Sequence, residues 1–472
     1  MFTVCGGLLV LNLMVFIIPI SAFFCMIVLL GFGRARFPFF IVLGWWFLWL
    51  WVSSLSLTGL YVPTTATYLL YMILLLSVFG GGFIYVSRRQ SSIRNIVRES
   101  SVIMAREREL RIRKKMHNLT IFTLLIIVPI VGYFLFRAVQ MFLTLDTLSL
   151  YRQAAFGLLD DRESIVYGSP YIMLLYNLIV TPIVYLVFFI GAGYWLNTGV
   201  RKVFIIGSIL IFAEAVTMMG RFGFYHVLAI FAFVGIMRLI IYRRSIKSAI
   251  RGAMLAIFAV ALILVPMVMI GPARSDSAFD FSELYNTFVI EYHTLGFTLF
   301  DIELNNSDSY LNQTRSYGRA SLGALEHIPV LLLRRFDRSI DPIPEKIGAE
   351  MNEFRIVGQR SDGHPIWYNA FITVLYPLYM DGGVPFIIIA GLLYGFMLAK
   401  TSFTIFSQHN NLWNSFLLCT LIYCGLFSIF QPVITSVFWL YILLGFCYLR
   451  CRLNIRELFP SKTRGEFTLF GK

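Results

Sequence analysis

Arginine is the residue whose type and placement most suggest chemistry in this chain. Between residues 273 and 365 there are eight arginines but a single lysine, Lys346. Arg274 opens that stretch, and Arg315, Arg319, Arg334, Arg335, Arg338, Arg355 and Arg360 follow. Arg152 and Arg162 lie in an earlier polar segment, and Arg221 sits in Gly220-Arg221-Phe222-Gly223 between two apolar runs. A guanidinium offers a rigid donor fork that matches phosphate oxygens in pairs and stays charged at any working pH. The competing reading is that these cations pair with the fourteen acids of 273–365. For Arg221 that reading is weaker. A cation embedded between two membrane spans costs on the order of 2.5 kcal/mol or more and usually marks a functional site.

Other groups add detail. Glu214 precedes Arg221 by seven residues, two helical turns, so both fall on about the same helix face. That spacing suits a buried ion pair, a hydrogen-bonded glutamic acid or a proton relay. His364, in Asp362-Gly363-His364-Pro365, could serve as a general base near neutral pH, or simply be a solvated loop histidine. Asn369 follows closely and could hydrogen-bond a sugar or phosphate, while His117, His226 and His409 read as structural. Asp160-Asp161 is the one acidic pair that could attract a metal. Because the first two inter-span links, Arg34-Ala35-Arg36 and 61–65, carry no acid, neither a metal nor any cofactor is expected. No zinc spacing, phosphate-binding glycine loop or serine nucleophile elbow occurs. All six cysteines lie in or beside apolar runs, which argues against a disulfide framework.

The elements that must hold these groups are membrane helices. Of the 472 residues, 58% are hydrophobic and 14% charged, against roughly 45–50% and 25% in soluble domains. Continuous apolar runs, rather than alternation, select helices over a β-barrel. The fold class is therefore all-α, a polytopic helical membrane protein. Spans are read at about 5–32, 37–60, 66–87, 118–137, 170–194, 203–219, 222–242 and 252–271. Later apolar segments lie at 366–380, 384–400, 412–430 and 433–449. The net charge of +14 divides into −5 for 273–365 and +19 for the rest. That excess sits in short loops, as the positive-inside rule requires, and marks topology rather than nucleic-acid binding. Ten Lys/Arg between Arg88 and Lys115 make 88–115 cytoplasmic. Strict alternation then puts the N-terminus, 138–169 and 272–366 outside. The basic tail is inside, so one late segment does not cross. The expectation is a re-entrant or interfacial helix at 366–380, closed by Asp381-Gly382-Gly383, and about eleven spans in all. Three regions follow: 1–272 with about eight spans, a large external loop at 273–365, and 366–472. An ordered loop of that length usually carries function, and 281–300 and 320–335 within it suit helices.

These features resemble a known family. The shared pattern is the Arg-rich cytoplasmic loop, Gly220-Arg221-Phe222-Gly223 between spans, and a late external loop with Tyr317-Gly318-Arg319 and Ile328-Pro329. Asn369 then precedes Asp381-Gly382-Gly383. The chain is similar to the O-antigen polymerase (Wzy-type) proteins, the oligosaccharide repeat-unit polymerases of bacterial surface polysaccharides. The related O-antigen ligases carry His directly before Asn at the corresponding place, where this chain has Tyr368. The resemblance implies a glycosyltransferase of the inner membrane with its site facing the periplasm. It would join undecaprenyl-diphosphate-linked oligosaccharides without a metal. It implies partners too: a separate chain-length-regulating copolymerase, with a flippase as a further candidate, alongside membrane lipid. In that reaction Arg221 and Arg319 would stabilise the departing diphosphate, with Arg152 and Arg274 beside them, and His364 would be the base. Asn369 and Asp381 would shape the site. The alternatives are an O-antigen ligase and a lipid-linked oligosaccharide flippase or other transporter, against which the absence of internal repeats argues.

Overall fold

The computed structural model describes residues 2–92, 102–145, 148–155, 164–220, 222–242, 285–334, 336, 340, 342–360, 363–369, 371–407 and 411–450. Arg221, Arg274, Asp160-Asp161, Arg162 and the 252–271 span lie outside these residues.

The chain is mostly helical and membrane-embedded. Six stretches of the described residues are long and apolar enough to cross a bilayer: Leu13–Ser54, Thr65–Arg88, Glu109–Phe142, Pro170–Thr198, Phe222–Tyr242 and Leu375–Ser407. The first joins α1 (Phe2–Leu29) to α2 (Phe37–Ser54) across a sharp turn at Leu30–Arg36. α3 (Thr65–Ser92) and α4 (Val102–Phe122) extend well into the basic 88–115 segment, and α5 (Val128–Phe142) continues α4. After α6 (Leu148–Ala155), α7 (Pro170–Leu175) starts beneath a Ser169 side-chain cap and runs on into α8 (Thr181–Thr198). α9 (Lys202–Thr217) and α10 (Phe222–Tyr242) complete the first half. Large apolar side chains such as Phe16, Phe23 and Leu125 point outward, as lipid-facing surfaces do.

Small residues set the tightest helix contacts, because lipid tails compete with apolar side chains and close backbone packing must supply the attraction. α3 runs alongside the long helix Leu375–Ser407. A Cβ on Gly81 would collide with the Leu392 carbonyl, and one on Gly395 with that of Val78. α8 and α9 meet the same way, Gly207 against the Phe188 backbone and Gly191 against Phe204.

One end of the bundle carries the basic segments. There the Lys115 ammonium donates to the Tyr448 carbonyl at 2.7 Å, Arg238 donates to the carbonyls of Trp195 and Leu196, and Phe32 meets Phe403. The opposite end is capped by the polar segment after residue 285, which is folded rather than loose. Its helices are α11 (Tyr292–Asn305), α12 (Tyr310–Gln313), α13 (Arg319–Leu322), α14 (Ala324–Leu333) and α15 (Ile343–Asn352). The helix-compatible stretches 281–300 and 320–335 thus coincide with helices over their described parts.

An antiparallel hairpin follows, β1 (Arg355–Gln359) and β2 (Pro365–Tyr368), with Arg355 opposite Tyr368 and a register shift between Ile356 and Gly358. The α2–α3 link covers its free edge. Tyr61 N–H donates to the Val357 carbonyl at 2.8 Å and Gln359 N–H to that of Gly59 at 2.9 Å. This corrects the expectation of a helix from Ile366. In β2 burial alternates, Ile366 in and Trp367 out, the two-residue period of a strand. Helix resumes only at α16 (Leu375–Ser407). Asp381-Gly382-Gly383 does close a helical segment: both glycines leave helical geometry, Gly383 at φ 64 where a side chain would be strained, and they divide α16 into a short half-helix, 375–381, and the long helix that follows. α17 (Leu412–Phe427) and α18 (Phe438–Arg450) close the described chain.

Candidate functional site

The hairpin end gathers several of the singled-out residues around the first half of α16, residues 375–381. Asp381 closes that half-helix and is 2% exposed. One of its oxygens accepts from Ser316 Oγ at 2.5 Å, Gly318 N–H at 2.9 Å and Ala320 N–H at 3.0 Å. The other accepts from Ser321 N–H at 2.9 Å. A carboxylate at a helix N-terminus satisfies donors that have no partner within the helix. Here it also fixes a turn in which Tyr317 and Gly318 both take positive φ. Two parts of the sequence pattern, Tyr317-Gly318-Arg319 and Asp381, therefore meet across sixty residues of chain.

The turn presents Arg319. Its Nε donates to Glu326 Oε1 at 2.7 Å, and a terminal nitrogen pairs with the same oxygen. Glu326 is buried and its second oxygen accepts from Ile343 N–H at 2.8 Å. The Arg319 side chain nevertheless stays 46% exposed, so its outer edge can still meet an anion.

On the other flank lies a recess bordered by Glu303, Glu350, Glu353, Arg355 and Asn369. Arg355 reaches all three acids: Glu303 at 3.0 Å, Glu350 at 3.3 Å and Glu353 at 3.1 Å. Asn369 donates to the Asn352 carbonyl at 3.1 Å, which brings this sequence candidate to the acids. Glu303 Oε2 is buried without a hydrogen-bond partner among the described residues. Burial pushes the Glu303 carboxyl above the ordinary glutamate value, against the pull of Arg355. The Tyr376 hydroxyl, on α16, is likewise buried without such a partner and lies within electrostatic reach of Glu303 and Arg355. Tyr376 and Asp381 are five residues apart on one half-helix, a rise of about 7.5 Å. The two flanks are tied together: Asn312 Nδ2 donates to the carbonyls of Glu303, Leu304 and Asn306, and Ser316 N–H to that of Met380.

Arg152 sits elsewhere on the same end. Its neighbour Tyr151 is fully buried and donates to the Thr217 carbonyl at 2.6 Å, docking α6 against the end of α9. Phe222 in turn packs on Phe371 and Phe430 at ring distances of 6.3 and 6.1 Å. The connection 428–437 links this region to the Arg319 turn, since the Ser436 carbonyl accepts from Ala324 N–H at 3.0 Å.

His364 is the candidate that the structure moves away. It lies exposed in the hairpin turn, its carbonyl accepting from Arg360 N–H at 2.9 Å. Because the intervening residues are extended, Asn369 lies roughly 16 Å further along the chain rather than a helical turn or two away. Glu214 accepts from Tyr176 at 3.3 Å and Thr181 at 3.2 Å, which matches the hydrogen-bonded glutamic acid among its alternatives. Sequence alone does not pair Glu303 with Arg355. They are 52 positions apart, and no local motif marks either.

No protein-family model, curated protein or solved structure matches the chain. Its fold and site define a helical membrane protein with an ordered polar cap at one end.

Proposed function

We propose that the chain polymerises lipid-linked oligosaccharide repeat units, as its resemblance to the O-antigen polymerases implies. Counting 252–271 as a crossing gives eleven spans, with the half-helix 375–381 as the short segment that does not cross. The basic end then faces the cytoplasm and the hairpin end faces the periplasm, by the positive-inside rule. The chain is read as residing in the inner membrane, with undecaprenyl-diphosphate-linked oligosaccharides as its substrates and a chain-length-regulating copolymerase as its partner.

The observation that carries this reading is the Asp381-tethered turn. It presents a half-exposed guanidinium on one flank of the half-helix 375–381, while the buried Glu303 carboxylate, with an unpartnered oxygen among the described residues, belongs to the other flank. Glycosyl transfer from a diphosphate requires that pairing. As the acceptor oxygen bonds to the anomeric carbon, the bond from that carbon to the diphosphate oxygen breaks. Negative charge gathers on the leaving group, and prepositioned cations lower the barrier. Arg319 fills that role here, with Arg152, Arg221 and Arg274 as further donors. The acceptor hydroxyl must lose its proton to a base. Glu303 replaces His364 as that base: Arg355 orients one oxygen, and the other is buried without a hydrogen-bond partner among the described residues. Asn369 lies where it can hold a sugar hydroxyl, and Asp381 positions rather than reacts. Holding two lipid-borne substrates together removes part of the barrier through orientation.

The test is reconstitution. Purified chain in liposomes, given lipid-linked repeat units, is expected to yield a ladder of polymer that chelators do not abolish. Scrambling of the units across the bilayer with no polymer would favour a flippase. In a deletion strain the lipopolysaccharide core should carry one repeat unit; a bare core would favour a ligase.

A further inference from the structure

Helix α14 (Ala324–Leu333) faces two ways. Ala324, Glu326 and Val330 are buried, while Ile328, Pro329 and Leu333 are exposed, and Leu322 and Phe336 extend the exposed apolar side before and after it. At about 100° per residue, Ile328, Pro329 and Leu333 share one stripe, an arc of about 140° on the helix, and Leu322 and Phe336 lie just outside the helix at either end. Nothing among the described residues covers that stripe. Inward, the helix is firmly held: Glu326 accepts from Ile343 N–H and pairs with Arg319, and Ala324 N–H donates to the Ser436 carbonyl.

The stripe sits at the head of a membrane helix. The Trp439 indole, in the first turn of α18, donates to the Ser321 carbonyl at 2.6 Å just before α14 begins. Tryptophan with its ring among apolar groups and its N–H on a polar one is the side chain enriched at membrane–water boundaries. Further down α18, Leu443, Leu444 and Phe446 are exposed, the lipid-facing surface of the bundle. The α14 stripe continues that surface at its upper edge.

We propose that α14 lies in the leaflet at the hairpin end, with Leu322, Ile328, Leu333 and Phe336 among lipid chains near the headgroups. Bilayer lipid is the occupant that this continuity selects. The polar cap is then anchored in the membrane through a short interfacial helix, as amphipathic helices bind surfaces. Arg319, held to the same helix through Glu326, comes to the depth of lipid phosphates; only that consequence rests on the polymerase reading.

The experiment places a photoreactive benzoylphenylalanine at Ile328 or Leu333 of the full chain in nanodiscs of phosphatidylethanolamine and phosphatidylglycerol, without substrate. Irradiation is expected to give a protein adduct heavier by one phospholipid, at least tenfold more abundant than with the probe at the exposed loop residue Asp308. A covalent dimer, or no more lipid adduct than at Asp308, would overturn the proposal. Should one labelled variant not fold, a nitroxide at Phe336 reads the same property: relaxation by oxygen should exceed relaxation by a water-soluble nickel chelate, and the reverse ranking would overturn it. Neither readout requires activity, so an inactive chain with a lipid adduct would count against the polymerase reading alone.

Discussion

Two buried carboxylates at the hairpin end meet opposite fates. Asp381 has both oxygens occupied by four donors, three of them backbone N–H groups. Glu303 has one oxygen on Arg355 and the other without a partner among the described residues. A carboxylate with both oxygens engaged by the backbone, and only 2% exposed, fixes a backbone path. A carboxylate with a spare oxygen, kept in place by an arginine, costs stability through incomplete pairing and holds an acceptor ready. The comparison teaches that burial alone does not identify a working acid. The tally of donors does.

The largest expected effect breaks the comparison at Glu303. Glu303→Gln keeps an oxygen for Arg355 but cannot take a proton. Initial polymerisation rates should fall by about 10²- to 10⁴-fold, with the amount of folded protein in the membrane unchanged. A normal rate, followed by the polymer ladder over time, would remove Glu303 from the mechanism. Arg319→Lys comes next. It keeps the charge and loses the fork, so one strong hydrogen bond to the diphosphate goes. A loss of about 1.5–3 kcal/mol corresponds to roughly 10- to 100-fold in rate. Unchanged polymer length and rate would show that Arg319 merely pairs with Glu326.

Asp381→Ala should behave differently from both. It strands backbone N–H groups that are buried against α16, at a cost of at least about 2 kcal/mol. Less folded protein and a lower melting temperature in detergent are expected. The rate per folded molecule should fall far less than in the Glu303 variant. A stable Asp381→Ala protein with no activity would reverse the two roles.

The same contrast explains what could be read in advance. Most spans follow from apolar runs long enough to cross a bilayer, a signal summed over some twenty residues; 66–87, 170–194 and 222–242 each coincide with helices, whereas in 37–60 the helix stops at Ser54. The Arg319 turn and Asp381 were legible as a pattern, although their mutual contact was not. The hairpin is not legible in the sequence because β2 spans four residues, and a single alternation there is hidden by the apolar run that continues through 380. Asp381-Gly382-Gly383 reads as a stop, and the chain does leave helical geometry at Gly382 and Gly383 before the long helix begins; what the sequence does not show is that the Asp381 carboxylate is held by donors sixty residues away. Glu303 is one acid in an ordinary helix until the fold delivers Arg355 and Asn369 to it.

Acidification sharpens the comparison with a smaller effect, and the signs decide the order of events. Glu303 holds its proton more tightly folded than unfolded, since burial raises its pKa above the ordinary glutamate value. Protonating it therefore does not loosen the fold; the bound proton favours the native state. It does remove the base, so the rate should fall as pH drops through that raised value. Glu345 lies in the same cap with the opposite shift. Its carboxyl is lowered by the His327 hydrogen bond and by Arg334. Its contribution is present above the ordinary glutamate value and is lost as pH falls through the depressed one. Activity should thus fade at a higher pH than that at which the cap loosens. The acid limb should vanish from the residual activity of Glu303→Gln, while Glu345→Gln should leave the limb in place and abolish the low-pH loosening, followed by hydrogen exchange over 343–352. Simultaneous loss of activity and of protection would mean that the acid limb reports unfolding, and the base would have to be sought elsewhere.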